Sequence, residues 1–223
     1  MNMLDFLYNN TIVTYILYII AIITIIILLF KLKKKFYGNF SETNLFRRLK
    51  IIYKEYDYPY IKEIILPMNK ENYIYFDAIV LADKYIYIIE MKNHSSKLYA
   101  DNLNEWYLIN NKDKKITITN PYYELDVKKH VLNRYLNIDA NRIIPIVVYN
   151  IDTHIISKDN PINLISIKQL KSFITKFESS SNYPKFKGEF IEKVGNELLS
   201  YNVKNPKIRY KVINKLLNQR TKK

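Results

Sequence analysis

Apolar positions fall along this chain in patterns that change sharply from one stretch to the next. From Thr11 to Phe30 the residues carry no charge and are almost wholly apolar. Beyond them, Leu45, Phe46, Leu49, Ile52 and Tyr53 recur at helical spacing, predicting an amphipathic helix from Glu42 to about Glu55, with Ser41 as its cap. Strand-like runs follow. Ile61–Leu66 is closed by Pro67, and Tyr73–Leu81 and Tyr85–Met91, rich in Ile, Val, Tyr and Phe, are parted by Asp83-Lys84 and predict a β-hairpin. Shorter runs at Trp106–Ile109 and Lys115–Thr119 flank a polar turn. Asn120-Pro121 then opens a helix from Tyr122 to about Leu136, with proline at the first turn. Arg142–Tyr149 reads as a buried strand, followed by a short strand near Leu164–Ile165 and a helix over Ile167–Phe177. After the polar Ser179–Pro184 stretch, helices are predicted over Glu189–Leu199 and Pro206–Asn218. The central order is helix, strand, strand, strand, helix, strand, which is an α/β domain. Three segments result: 1–35, 36–178, and 179–223.

The first apolar run is long enough to matter by itself. At a rise of about 1.5 Å per residue, residues 11–30 reach roughly 30 Å, the thickness of a bilayer core. Lys31, Lys33, Lys34 and Lys35 follow at once, whereas Asp5 is the only charged side chain before the run. That asymmetry predicts a single-pass anchor in the cell membrane with the bulk of the chain cytoplasmic. A cleaved signal peptide would want its positive charge ahead of a shorter run. Anionic lipid would attract Lys31–Lys35.

Composition narrows the chemistry. The 223 residues include no cysteine, which excludes disulfides, thiolate catalysis and cysteine zinc sites. Three widely spaced glycines exclude Gly-rich phosphate loops. The net charge of +14 is unevenly placed. Residues 185–223 hold eleven Lys/Arg against three acids, and residues 31–50 hold seven against one, whereas residues 51–184 are almost neutral at seventeen against sixteen. A basic tail of this kind suits a phosphate backbone or an anionic lipid surface, two partners that charge does not separate.

The hairpin carries the candidate chemistry. If Asp83-Lys84 forms a two-residue loop, Ala82 pairs with Tyr85 and Asp77 falls opposite Glu90, with Cβ atoms roughly 4.5–5.5 Å apart. Lys92 lies on the same side, because strand side chains alternate. Like charges facing each other destabilise a sheet, and a divalent cation held between them would resolve the repulsion. The competing reading is a plain hairpin slipped by one residue, with its acids solvated on opposite faces; Asp-Lys is not a preferred tight-turn pair.

An acid in one strand and Glu-x-Lys in the next resembles the signature of the PD-(D/E)xK nuclease superfamily. Phe76-Asp77-Ala78-Ile79-Val80 and Ile88-Ile89-Glu90-Met91-Lys92-Asn93 resemble, more narrowly, the nuclease-related domain (NERD). Gly38–Glu42, Trp106, Asn120-Pro121 and Ile144–Val148 follow the same pattern in order. The resemblance implies a restriction-endonuclease-like αβββαβ core with a mixed sheet, in which Tyr99–Thr119 is an insertion. It implies metal-dependent hydrolysis of phosphodiester bonds in nucleic acid, DNA foremost. Asp77 and Glu90 would bind Mg²⁺ or Mn²⁺, Glu42 would assist from its helix, and Lys92 would serve the attacking water. Ser41 and Glu124 stand where the family usually has Gly and Gln, and Glu124 adds an acid that would either ligate metal or repel substrate. Lys128, Lys129 and Arg134 read as a solvated basic helix face, and His94 as a surface residue. Catalytically silent binding or scaffolding on the same fold is the alternative.

Overall fold

The computed structural model describes residues 15, 18–26, 44–69, 71–92, 97–100, 105–109, 114–150, 153–156 and 163–221. Glu42, Ser41, His94 and half of the 11–30 run lie outside them. In the N-terminal unit, residues 18–26 are helical with exposed side chains, and Thr24 Oγ1 donates to the Ile20 carbonyl at 2.7 Å. Among the described residues, no helix is long and apolar enough to cross a membrane.

Residues 44–223 form a second compact unit. It opens with helix α1 (44–56) and strands β1 (Tyr60–Pro67), β2 (Tyr73–Leu81) and β3 (Ile86–Lys92). Strands β4 (Lys97–Tyr99), β5 (Glu105–Ile109) and β6 (Lys115–Thr119) precede helix α2 (Pro121–Leu136). Strands β7 (Ile143–Tyr149), β8 (His154–Ile156) and β9 (Asn163–Ser166) lead to helices α3 (Leu170–Ser180), α4 (Gly188–Tyr201) and α5 (Pro206–Thr221).

The central sheet has the order β1-β2-β3-β7-β9. Its first three strands are antiparallel neighbours, whereas β3, β7 and β9 run parallel. The sheet is therefore mixed, and helix α2 makes the crossover that parallel strands need. β2 and β3 are buried almost end to end because both faces are covered. One face packs against Leu125, Val131, Leu132 and Leu136 of α2 and Val194 and Leu198 of α4. The other packs against Leu45, Leu49 and Ile52 of α1 and Leu170 and Ile174 of α3. Tyr53, expected on the buried stripe of α1, is instead 46% exposed. The expected insertion supplies β5 and β6 to a second sheet, β6-β5-β4-β8, which β8 from beyond β7 completes; its Trp106 is fully buried in the core that α2 shares.

The last two helices belong to the same packing. Val203 donates its N–H to the Ile65 carbonyl, and Asn202 Oδ1 accepts from the Ile65 N–H, so the chain between α4 and α5 runs along the free edge of β1. Arg209 of α5 donates to the Glu63 carbonyl at 3.0 Å and to Asn202 and Val203 at 3.1 Å.

Candidate active site

The β2–β3 hairpin has the register its sequence predicts. Ala82 N–H donates to the Tyr85 carbonyl, and Leu81, Val80, Ile79 and Ala78 pair with Ile86, Tyr87, Ile88 and Ile89. The ladder stops there, one position short of Asp77 and Glu90. On the other side, β1 and β2 pair at Lys62–Ala78 and Ile64–Phe76 and skip the Glu63–Asp77 position between them. Glu63 has a φ of 52°, the left-handed region that a non-glycine residue enters at a cost of about 1–3 kcal/mol. Side-chain alternation changes phase at this level in both strands. Ile61 and then Ile64 of β1, and Phe76 and then Ile79 of β2, enter the same core. Two neighbouring positions of β2, Phe76 and Asp77, can thus turn to the face that α2 covers. Asp77 uses its freedom from the ladder: Oδ2 accepts from the Met91 N–H at 2.8 Å, capping β3 where main-chain pairing with β2 has ended.

Glu90 is 1% exposed and lies between two ammonium groups. Lys92, two residues along the same strand, reaches Oε1 at 2.7 Å. Lys128 of α2 is hydrogen-bonded to Oε2. Glu124, one helical turn before Lys128, stands 3.1 Å from its Nζ and 3.4 Å from Lys92 Nζ. Burial by itself would push the Glu90 carboxyl up, but Lys128 and Lys92 overcome it and hold the group well below the ordinary carboxylate range. Burial would likewise lower Lys128, and Glu90, Glu124 and Asp77 reverse that and hold it protonated. Tyr149 of β7, also buried, has its phenol pushed up by burial and then by the charge of Glu90.

Helix α2 is aimed at this cluster by its cap. Asn120, fully buried, accepts the Tyr122 N–H on its side chain at 2.9 Å, and Pro121 supplies the first helical residue. The buried stripe of the helix then runs Pro121, Leu125, Lys128, Leu132 and Leu136. Lys128 does not lie on a solvated face as its sequence neighbourhood suggested; its side chain is 3% exposed. A lysine at an apolar-stripe position was the signal in the sequence, because burial there demands a buried acid as partner.

The structure therefore brings Asp77, Glu90 and Lys92 together, adds Lys128 and Glu124, and leaves Glu42 outside the described residues. Asp77 and Glu90 offer carboxylate oxygens, the donors a hard divalent ion takes, so their chemistry fits Mg²⁺ or Mn²⁺. Each Glu90 oxygen is held by an ammonium, so a cation binding Glu90 would displace Lys92 or Lys128 from one of them. Among the described residues, no group of three or more His, Cys, Asp or Glu side chains is placed to hold a metal.

The profile of the nuclease-related domain family, NERD, matches residues 37–150, just over half of the chain. No curated protein and no solved structure matches it.

Proposed function

Because this chain belongs to the nuclease-related domain (NERD) family, we propose that it is a metal-dependent nuclease of the PD-(D/E)xK type, hydrolysing phosphodiester bonds in nucleic acid, DNA foremost. The observation that carries this reading is the convergence of Asp77, Glu90 and Lys92 at the end of one hairpin, two acids buried and the lysine partly exposed. Asp77 and Glu90 would hold the metal, with Glu42 as a further acid. A bound Mg²⁺ or Mn²⁺ would supply Lewis-acid polarisation of the phosphate and a water of lowered pKa. Lys92, with 18% of its side chain exposed, can reach both Glu90 and solvent. Its ammonium would orient the attacking water and offset negative charge that develops on the phosphate. The apolar run at 11–30 and Lys31–Lys35 support a membrane anchor with the nuclease unit on the cytoplasmic side; the exposed Ile and Tyr side chains of residues 18–26 are the kind of surface lipid would cover.

The test is cleavage by the full chain in detergent micelles, on plasmid, linear duplex and single-stranded DNA, with Mg²⁺, Mn²⁺ or EDTA. Glu90→Ala and Lys92→Ala should each lower the metal-dependent rate by about 10²-fold or more. Cutting that survives both substitutions assigns the activity elsewhere. A second reading, a non-cleaving nucleic-acid binder on a nuclease-derived fold, is favoured by one specific observation: Lys128 and Lys92 already neutralise Glu90. Nucleic-acid binding without cleavage under any of the metal conditions would select it.

A further inference from the structure

A cleft of about 720 Å³ lies between the start of β2, the first turns of α2 and the inner face of α5. Its α2 wall includes Glu124 and Lys128, the two residues of α2 that contact the Glu90–Lys92 pair. Its opposite wall comes from Ile208, Lys211, Val212 and Lys215, spaced as one face of α5. This helix lies beyond the part of the chain that matches the family. Lys211 and Lys215 are exposed. Neither makes an ion pair or hydrogen bond among the described residues.

We propose that this cleft binds unpaired nucleotides of a nucleic-acid strand and leads them to the candidate site, with Lys211 and Lys215 of α5 holding the phosphates. The inference rests on the nuclease reading and adds its substrate class. Volume is the first argument: about 300–1,000 Å³ is the range of sites that enclose small organic groups. The second is the lining. Tyr73 of β2, Val127 and Val212 give the cleft apolar and aromatic lining beside the lysines of α5. A duplex shows its phosphates and sugars and would gain nothing from such walls. An unpaired base has an exposed face that stacks on a tyrosine, worth about 1–3 kcal/mol per base, while the strand's phosphates meet lysines. Glu71 and Glu124 also line the cleft and would repel a phosphate chain. Glu124 is in contact with Lys92 and Lys128, and the α5 lysines are the cations that face a strand from the opposite wall.

Binding of a labelled oligonucleotide, single-stranded or annealed to its complement, measured by fluorescence anisotropy in EDTA, tests this on the full chain in detergent micelles. The unaltered chain should prefer the single strand. Lys211→Glu/Lys215→Glu should weaken single-strand binding by about tenfold or more and reduce the slope of log affinity against log salt by about 1.4. Tyr73→Leu should weaken binding and leave that slope unchanged. Lys187→Glu/Lys193→Glu, an equal charge change on exposed residues around α4 outside the cleft, should have little effect. Single-strand binding that survives Lys211→Glu/Lys215→Glu, or falls no further than with the α4 pair, overturns the cleft while leaving the nuclease reading to its cleavage test. Duplex bound as tightly and weakened as much overturns the unpaired substrate. An unaltered chain that binds neither form overturns the inference and leaves the nuclease reading to its cleavage test with Mg²⁺ or Mn²⁺.

Discussion

Lys128 takes a position that most helices give to leucine. Its ammonium is desolvated, and Glu90, Glu124 and the nearby Asp77 compensate. Removing one member of a buried pair leaves the other charge unpaired, which costs about 3–5 kcal/mol. Lys128→Met should therefore lose about that much stability toward urea, although methionine fills the stripe well. Lys128→Met/Glu90→Gln should lose less than the sum of the two single changes, because the two residues interact. A loss under about 1 kcal/mol in the single variant would mean that Glu90 does not depend on Lys128.

The same pair sets a pH dependence. The folded Glu90 carboxyl lies below its reference value of 4.5, so the stability it contributes is present above that pH and is lost as pH falls through the folded value. Lys128 lies above its reference of 10.5, so its contribution holds until alkaline pH exceeds the folded value. The stability difference between the unaltered chain and Glu90→Gln should thus stay level from about pH 6 down to about pH 5 and shrink toward pH 3. A difference that remains constant to pH 3 would contradict this electrostatic account.

At the scale of elements, periodic stretches were legible and the shortest strands were not. β2 and β6 appear at the predicted residues and α2 within a residue, because alternating strands and a capped helix repeat their signal. β4 and β8 have three residues each and no room for a period. The Asp77, Glu90 and Lys92 side of the site was legible from the hairpin register. The Lys128 side was missed because the basic residues around it suggested a solvated face. The phase change at Glu63 and Asp77 was not legible either, since it depends on a backbone conformation held in place by packing. Arg209 is part of that packing, donating to the carbonyl of the left-handed Glu63. Arg209→Ala should destabilise the chain by about 2 kcal/mol. Hydrogen exchange at Val203 should rise while β7 stays protected; equal change in both would point to global loosening instead.

For the molecule as a whole, charge located the basic tail but not its place. Composition marks residues 185–223 as an excess of lysine and arginine, which by itself describes a solvated appendage equally well. What places the tail is apolar: Val194 and Leu198 join the core beside α2, and Gly195 brings its backbone close to Leu81, where an added Cβ would stand 3.5 Å from the methyl. The family domain ends at residue 150, but the compact unit continues through α5. Relatives that share the domain without this tail would lack one wall of the cleft.

The contact of Asn202 and Val203 with Ile65 has a consequence for how this chain behaves in company. β1 is an outer strand of the central sheet, and its unpaired amides are a template on which another polypeptide could crystallise as a further strand. Residues 202 and 203 occupy that template at Ile65 with one donor and one acceptor. A chain cut short before Asn202 would keep its hairpin acids and expose a sticky margin beside them. Such fragments would be lost to self-association between copies before any defect in chemistry could be seen.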